Sequence, residues 1–242
     1  MTTLIKIIVT TILSLSLFSC NFDINFNSGV KGNGNVTTEE RNISEPFSTI
    51  KATEGLDVYL TQSDKTGVTV EADENLQSLI ITEVIDGTLK IHCEKNIGRC
   101  KSKKVMVSFT DISSIKSTSG SDVYSTNTIM VNDLHLESTS GSDMKLDVNT
   151  NSLTCKTTSG SDLKVSGTTK KLIVESTSGS DFKGANLIAE SSQVKATSGA
   201  DITVNTSKEL TADASSGADI KYLGEPEQVN KNSSSSGSVK KQ

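Results

Sequence analysis

The stretch Leu172-Ile173-Val174-Glu175-Ser176-Thr177-Ser178-Gly179-Ser180-Asp181-Phe182-Lys183 decides the fold. Its even positions, Leu172, Val174, Ser176, Ser178, Ser180 and Phe182, are apolar or small, whereas the odd ones are mostly charged, polar or Gly. Successive side chains of a strand point to opposite faces, so a period of two marks a strand with one buried face. The same alternation runs through Leu134, Leu136, Ser138, Ser140, Ser142, Met144 and Leu146, and through Val194, Ala196, Ser198, Ala200, Ile202 and Val204. Helix is excluded here.

The phrase at the centre of that stretch, Ser-Gly-(Ser/Ala)-Asp, recurs six times, with its glycine at Gly120, Gly141, Gly160, Gly179, Gly199 and Gly217, in steps of 21, 19, 19, 20 and 18. A near-constant period of about 20 residues means one supersecondary unit stacked on copies of itself. Antiparallel hairpins would need a primed turn every dozen residues or so, whereas like residues here return once per rung. The expected fold is all-β, a parallel β-helix-like solenoid with rungs of about 20 residues. Function is then expected along surfaces made by many copies.

Two outward columns support parallel stacking. Four residues before each repeat glycine stand Lys116, Glu137, Lys156, Glu175, Lys195 and Asp213, alternating in sign. With strands about 4.8 Å apart, each has an opposite charge above and below it. The motif aspartates, Asp122, Asp143, Asp162, Asp181, Asp201 and Asp219, stack a single sign instead and form a candidate binding surface. Two residues on, Lys145, Lys164, Lys183 and Lys221 offset part of that repulsion. Ser, Gly and Asp are turn residues, so Thr-Ser-Gly-Ser-Asp is expected at a bend that keeps the alternation. The inward hydroxyls then bond one another or backbone, since an unpaired buried one costs about 1–3 kcal/mol.

The chain begins differently. Lys6 followed by apolar residues from Ile7 to Phe18 reads as a secretory signal peptide, too short for a spanning helix of about 20 residues. Leu17-Phe18-Ser19-Cys20 resembles the lipobox of bacterial lipoproteins, which implies acylation of Cys20 and a lipid anchor in the bacterial cell envelope. The other reading is an ordinary cleaved signal with an incidental cysteine. The expected organisation is a lipoprotein signal over 1–19, a Gly- and Asn-rich tether over 20–35, a wider β region over 36–111, the repetitive solenoid over 112–229, and a terminal cap or tail over 230–242. Ile50 to Leu60 reads as a degenerate rung, with Gly55 and Asp57 in the motif positions.

Composition narrows the functional classes. Trp is absent, aromatics are 4% and Pro numbers two, so stacked small residues replace a bulky interior. A net charge of −5, with bases interleaved among acids, makes a nucleic-acid partner improbable. Cys93 and Cys100 bracket a short loop and are a candidate disulfide in an oxidising compartment. Their spacing, with only His92 nearby, is poor for zinc, and no metal or cofactor is expected. Cys155 falls on the inward parity and reads as a buried small hydrophobe, while His135 falls on the outward one. Two histidines without a nucleophile constellation give no support for catalysis.

Gly32-Asn33-Gly34-Asn35-Val36, then Arg41-Asn42-Ile43, Phe47, Ile50, Gly55-Leu56-Asp57-Val58-Tyr59-Leu60, Asn75-Leu76 and Asp86-Gly87-Thr88-Leu89-Lys90-Ile91 resemble the head GIN domain family of autotransporter-type adhesins. Leu56 and Asp57 replace the Ile and Asn of the tripeptide that names the family. The resemblance spans about 32–240 and implies a right-handed solenoid with an adhesin role, carrying over no catalytic residue and no defined ligand. The expected function is an envelope-anchored binding or adhesion module for a cell-surface protein or glycan. Its alternatives are a carbohydrate-binding or carbohydrate-active β-helix and an ordered ion- or ice-binding array. Oligomeric state is left open.

Overall fold

In the computed structural model, which describes residues 29–234 and 236–242, the chain forms seventeen strands. They are β1 (Val36–Arg41), β2 (Thr49–Ala52), β3 (Asp57–Gln62), β4 (Gly67–Asp73), β5 (Ile80–Ile85), β6 (Thr88–Cys93), β7 (Lys103–Phe109), β8 (Ser114–Ser117), β9 (Asp122–Ser125), β10 (Ile129–Thr139), β11 (Asp143–Thr158), β12 (Asp162–Thr177), β13 (Asp181–Thr197), β14 (Asp201–Ser215), β15 (Asp219–Leu223), β16 (Gln228–Ser234) and β17 (Ser238–Lys241). A short 3-10 helix, Glu74–Leu79, joins β4 to β5. The repetitive part is a parallel β-solenoid, about seven turns of roughly 19 residues.

Each rung contributes to two ladders. The N-terminal halves of β11 to β14 stack in register, Asp143 opposite Asp162, then Asp181 and Asp201; their C-terminal halves stack separately, Lys156 opposite Glu175, then Lys195 and Asp213. Between the ladders lies a core of stacked small and aliphatic residues, among them Leu136, Cys155, Val174, Val194 and Ala212, all essentially inaccessible to solvent. Cys155 is buried as its parity requires, and burial pushes its thiol pKa well up.

The Ser-Gly pair is the near corner of each of the six repeats. In all six repeats both residues have positive φ, 55–58° for Ser and 66–74° for Gly. Ser140, Ser178 and Ser198, expected inward by parity, are therefore exposed: two successive left-handed residues reverse the chain and swing that side chain outward. The residues on either side, such as Ser138 and Ser142, remain fully buried, so the alternation survives the bend. Their hydroxyls are satisfied. Ser142 Oγ donates to the carbonyls of Ser117 (2.9 Å) or Thr139 (2.8 Å) and lies 2.9 Å from Ser138 Oγ, and Ser161 Oγ donates to the Ser138 carbonyl at 2.7 Å.

The unequal repeat lengths are absorbed at the opposite corner. Between β12 and β13 the register slips after Lys164, and between β13 and β14 it slips from Gly184 to Ile188 and again at Ala189 to Ser191. The 20- and 18-residue steps leave the Ser-Gly corners aligned and push Ile188 into solvent, 55% exposed.

The N-terminal region departs from simple stacking. The rung β2–β3, whose corner Glu54-Gly55 also has two positive φ values, lies between the rung β6–β7 and the rung β8–β9. Antiparallel strands cover this end: β5 pairs with β6, and β4 joins β7 to β1. Residues 29–35, expected within a free tether, are docked on the body. Val30 bridges Ile97, and the Gly34 N–H donates to buried Asp73 at 2.8 Å. The part of the expected tether before Gly29, the signal and Cys20 lie outside the described residues. At the other end β16 and β17 form one more rung on β14 and β15, with Ser236 at positive φ before Gly237.

Two glycine classes follow. A Cβ on Gly160, a corner residue at φ 68°, would meet nothing within 4 Å, whereas one on Gly167 would sit 2.0 Å from the Val148 carbonyl oxygen. Gly160→Ala is expected to cost only the left-handed backbone term, about 1–2 kcal/mol, with Gly160→Asn milder. Gly167→Ala is expected to cost distinctly more, because backbone must move. Chemical-denaturation midpoints of the three variants test this; equal losses for both alanine variants would refute the distinction.

Candidate binding face

The aspartates singled out in the sequence do form one row. Asp57 stands opposite Asp122, followed by Asp143, Asp162, Asp181, Asp201 and Asp219, so seven carboxylates occupy consecutive strands of one ladder. All seven lie on the solvent face and are half-buried or exposed, because their neighbours on either side point inward. The parallel ladder sets their spacing at about 4.8 Å.

Beside this row runs the column two residues on: Tyr59, Tyr124, Lys145, Lys164, Lys183, Thr203 and Lys221. Lys183 reaches both Asp162 and Asp181, and these carboxylates hold its ammonium pKa above the ordinary lysine value. At the N-terminal end the lysines give way to aromatic rings. Tyr59 and Tyr124 stack with centroids 5.3 Å apart, and the adjacent aspartates have no lysine in the neighbouring column of their own strands. Burial, followed by the charges of Asp143 and Asp57, raises the Asp122 carboxyl above its usual pKa. The replacement of Lys by Tyr was visible in the sequence, but its meaning depended on placing Tyr59 against Tyr124.

The second ladder carries the alternating column in the expected register, Lys116 to Glu137, Lys156, Glu175, Lys195 and Asp213. Of these pairs Lys116 and Glu137 make direct contact, at 3.3 Å. Where the two ladders diverge at the far corner, Met130, Asn132, Asp133, Asn149 and Asn151 line an open groove of about 590 Å³ with Asp111. Asn151 donates to Asn132 across one rung at 2.8 Å. His135 is half-buried on the outward face and lies outside this groove.

Cys93 and Cys100 are free thiols, and the bond anticipated between them is not formed. Burial, then the charge of Glu54, pushes the Cys93 thiol up to about 11, and burial also raises Cys100. A residue that sequence reading missed lies close by. Asp73 is fully buried and accepts N–H groups from Gly34 (2.8 Å), Lys101 (3.0 Å) and Ser102 (3.0 Å). Burial pushes its pKa up, but the three donors outweigh it and hold the carboxyl below the ordinary aspartate value. This clamp organises the N-terminal cap. Among the described residues no His, Cys, Asp and Glu cluster is arranged to hold a metal ion, and no helix is long and apolar enough to cross a membrane.

A two-ladder solenoid with charged rows on its flat faces belongs to the repeat architectures, in which each rung contacts only its neighbours. The sequence profile described as "putative auto-transporter adhesin, head GIN domain" matches residues 46–226, and the chain belongs to that family. The fold is similar to a crystal structure of a putative adhesin from Bacteroides fragilis NCTC 9343, with TM-score 0.82 and 22% identity, covering 88% of this chain and 100% of that one. A putative adhesin from Parabacteroides merdae ATCC 43184 gives TM-score 0.71 at 16% identity, covering 88% and 98%. A putative lipid binding protein from Parabacteroides distasonis ATCC 8503 gives 0.72 at 22%, covering 88% and 99%. Comparison with curated protein sequences finds no match.

The Asp row makes a signed prediction about stability. Because the folded pKa of Asp122 is raised, ionising it opposes folding at neutral pH, and that opposition disappears as pH falls below the unfolded carboxylate value near 4. Asp122→Asn is therefore expected to raise the melting temperature at pH 7, with the gain shrinking to nothing in acid. A lower melting temperature at pH 7 would mean that the carboxylate shapes the fold.

Proposed function

We propose that this protein is an envelope-anchored adhesion module that binds a cell-surface protein or glycan through the Asp and Lys columns of its solenoid. The observation that carries the reading is the row of seven in-register carboxylates on an exposed sheet face, with Asp122 held at a raised pKa by burial and its neighbours. Like charges at one-strand spacing destabilise a sheet. A row that works against the fold has its reason in what it meets outside. Membership of an adhesin family supports the same reading. Repeated weak contacts of this kind sum by avidity.

Carbohydrate is the ligand class that two features favour. The stacked Tyr59 and Tyr124 stand beside Asp57 and Asp122, and the groove at the far corner gathers Asn132, Asn151, Asp111 and Asp133. Carboxylates beside aromatic rings suit the mixed faces of a sugar, and the separate amide- and carboxylate-lined groove suits its hydroxyls. We read this as binding without cleavage.

Binding of purified protein to intact cells and to immobilised glycans tests the proposal. Asp162→Asn alone is expected to change binding less than about twofold, while Asp143, Asp162 and Asp181 changed together are expected to weaken it about tenfold or more. Complete loss from one substitution, with the neighbours silent, would instead indicate a single site.

Anchoring through Cys20 is the second part of the proposal, resting on the lipobox-like Leu17-Phe18-Ser19-Cys20. Cys20→Ser is expected to move the protein from the membrane fraction to the soluble fraction or to leave it unprocessed. Unchanged partition would overturn the anchor.

A further inference from the structure

The bases of the N-terminal cap gather at the corner where residues 29–35 dock. The segment is clamped there from both sides. The Val30 N–H donates to the Asn96 carbonyl at 2.8 Å, the Val30 carbonyl accepts the Gly98 N–H at 3.0 Å, and the Gly32 N–H donates to the Arg99 carbonyl at 3.0 Å. Asn75 Nδ2 donates to the Lys31 carbonyl at 2.8 Å. Two hollows result. One of about 570 Å³ is lined by Lys31, Arg99 and Lys101 with Asp73 and Cys100, and one of about 450 Å³ by Gly29, Val30, Lys95 and Asn96. Lys31, Lys95, Arg99 and Lys101 are all exposed, and they make no ion pair among the described residues. Asp73 is the one carboxylate lining either hollow, and it is buried and engaged by its three N–H donors. Counted more widely, over 29–35, 73–75 and 94–103, five bases stand against three acids in a chain whose net charge is −5.

This corner is also where the described chain leads back to Cys20. Nine residue steps separate Cys20 from Gly29, a reach of at most roughly 30 Å. Residues 21–28 contain no base and one acid, so the positive charge sits on the folded body and not on the connecting segment. We propose that the corner docks on anionic lipid headgroups and sets the orientation of the solenoid on its anchor. The inference rests on the Cys20 anchor reading for what brings the corner to a bilayer. Each Lys or Arg near an anionic surface contributes about fivefold in affinity, and the attraction fades over a Debye length of about 8 Å at physiological salt. A contact of that kind orients a protein that is already tethered and does not retain a free one. It is made at headgroup level, because the exposed large apolar residues Ile85, Met130, Ile188 and Val229 line neither hollow. The loop over 94–102 joins β6 to β7, the first parallel rung of the stack, so docking there directs the later rungs and their Asp row away from the bilayer.

The test uses residues 20–242, which contain every strand of the fold, prepared without acyl groups. The probes are vesicles of phosphatidylcholine alone and of phosphatidylcholine mixed in equal parts with phosphatidylglycerol. Wild type is expected to sediment with the mixed vesicles at low salt, to leave the neutral ones alone, and to be released as salt rises. Lys95→Glu with Arg99→Glu is expected to lose at least about tenfold in affinity for mixed vesicles. Lys31→Gln with Lys101→Gln is expected to weaken binding less, and unchanged melting temperatures show that both pairs leave the fold intact. Lys240→Glu, on β17 at the other end of the stack, makes the same kind of charge change and is expected to bind like wild type. Equal binding to neutral vesicles, no binding to mixed ones, undiminished binding by folded Lys95→Glu with Arg99→Glu, an equal loss from Lys240→Glu, or displacement by inorganic phosphate at matched ionic strength would each overturn the surface. The anchor fails separately. Unchanged membrane partition of Cys20→Ser together with the expected vesicle binding overturns the anchor and supports the surface, whereas release of Cys20→Ser without any vesicle binding overturns the surface and leaves the anchor standing.

Discussion

The left-handed Ser-Gly corner is the constraint on which the other features depend. Each corner glycine donates its N–H to the carbonyl of the corner serine one rung on, at 3.1–3.2 Å from Gly120 through Gly199. The following aspartate donates back to the inward residue of the previous rung, as Asp162 does to the Ser142 carbonyl at 3.1 Å. Corners are thus locked to corners, and every column is indexed from them. Length variation has to go elsewhere, and the register slips between β13 and β14 show that it goes to the far corner. That corner is where the groove and the exposed Ile188 lie.

A parallel stack repeats each surface decision at every rung. An alternating column is self-neutralising, and each exposed pair contributes at most about 1 kcal/mol, enough to favour one register over its neighbours. A single-sign column accumulates repulsion instead. The Asp row is relieved where Lys183 bridges two rungs, and less so at Asp122, where burial and the charges of Asp143 and Asp57 outweigh the Tyr124 hydroxyl and Lys103. The two ladders therefore divide the labour. One carries charges that help the sheet, and the other carries charges that do not.

Much of this was legible because the repeat reports its own register. Once the corner aspartates are aligned, the partners of Glu175, Lys183 and Cys155 follow without further information. Three things were not legible, each for a physical reason. The outward swing of Ser140 and Ser178 depends on φ, which a period-two pattern does not encode. The docking of residues 29–35 depends on a buried Asp73 whose three donors come from segments far apart in sequence. The stack of Lys90, Lys51 and Lys116 exists only because β2 lies between β6 and β8, an order in space that differs from the order in the chain. Tertiary placement of non-consecutive strands is what single-sequence periodicity cannot carry.

The ends of the stack determine how the faces can be used. An open parallel edge is a template for another chain, and natural sheets blunt it with charge pointing inward. The last rung does this. Lys231 and Lys241 occupy the positions that Ala212 and Tyr222 fill inwardly one rung earlier. Lys231 Nζ lies 4.7 Å from the Tyr222 ring centroid, and Lys241 pairs with Glu225 at 2.6 Å. The core is closed by side chains whose ammonium groups would have to be buried if a further rung were added, a cost of several kcal/mol per ion that Glu225 offsets for Lys241 alone. At the opposite end β4 and β5 run antiparallel to β7 and β6, and β1, antiparallel to β4 in its turn, forms the outer edge of that ladder. Growth by end-to-end addition is disfavoured at the β16–β17 end. In the adhesion reading proposed above, the number of rungs sets how many Asp and Lys contacts a ligand can engage at once.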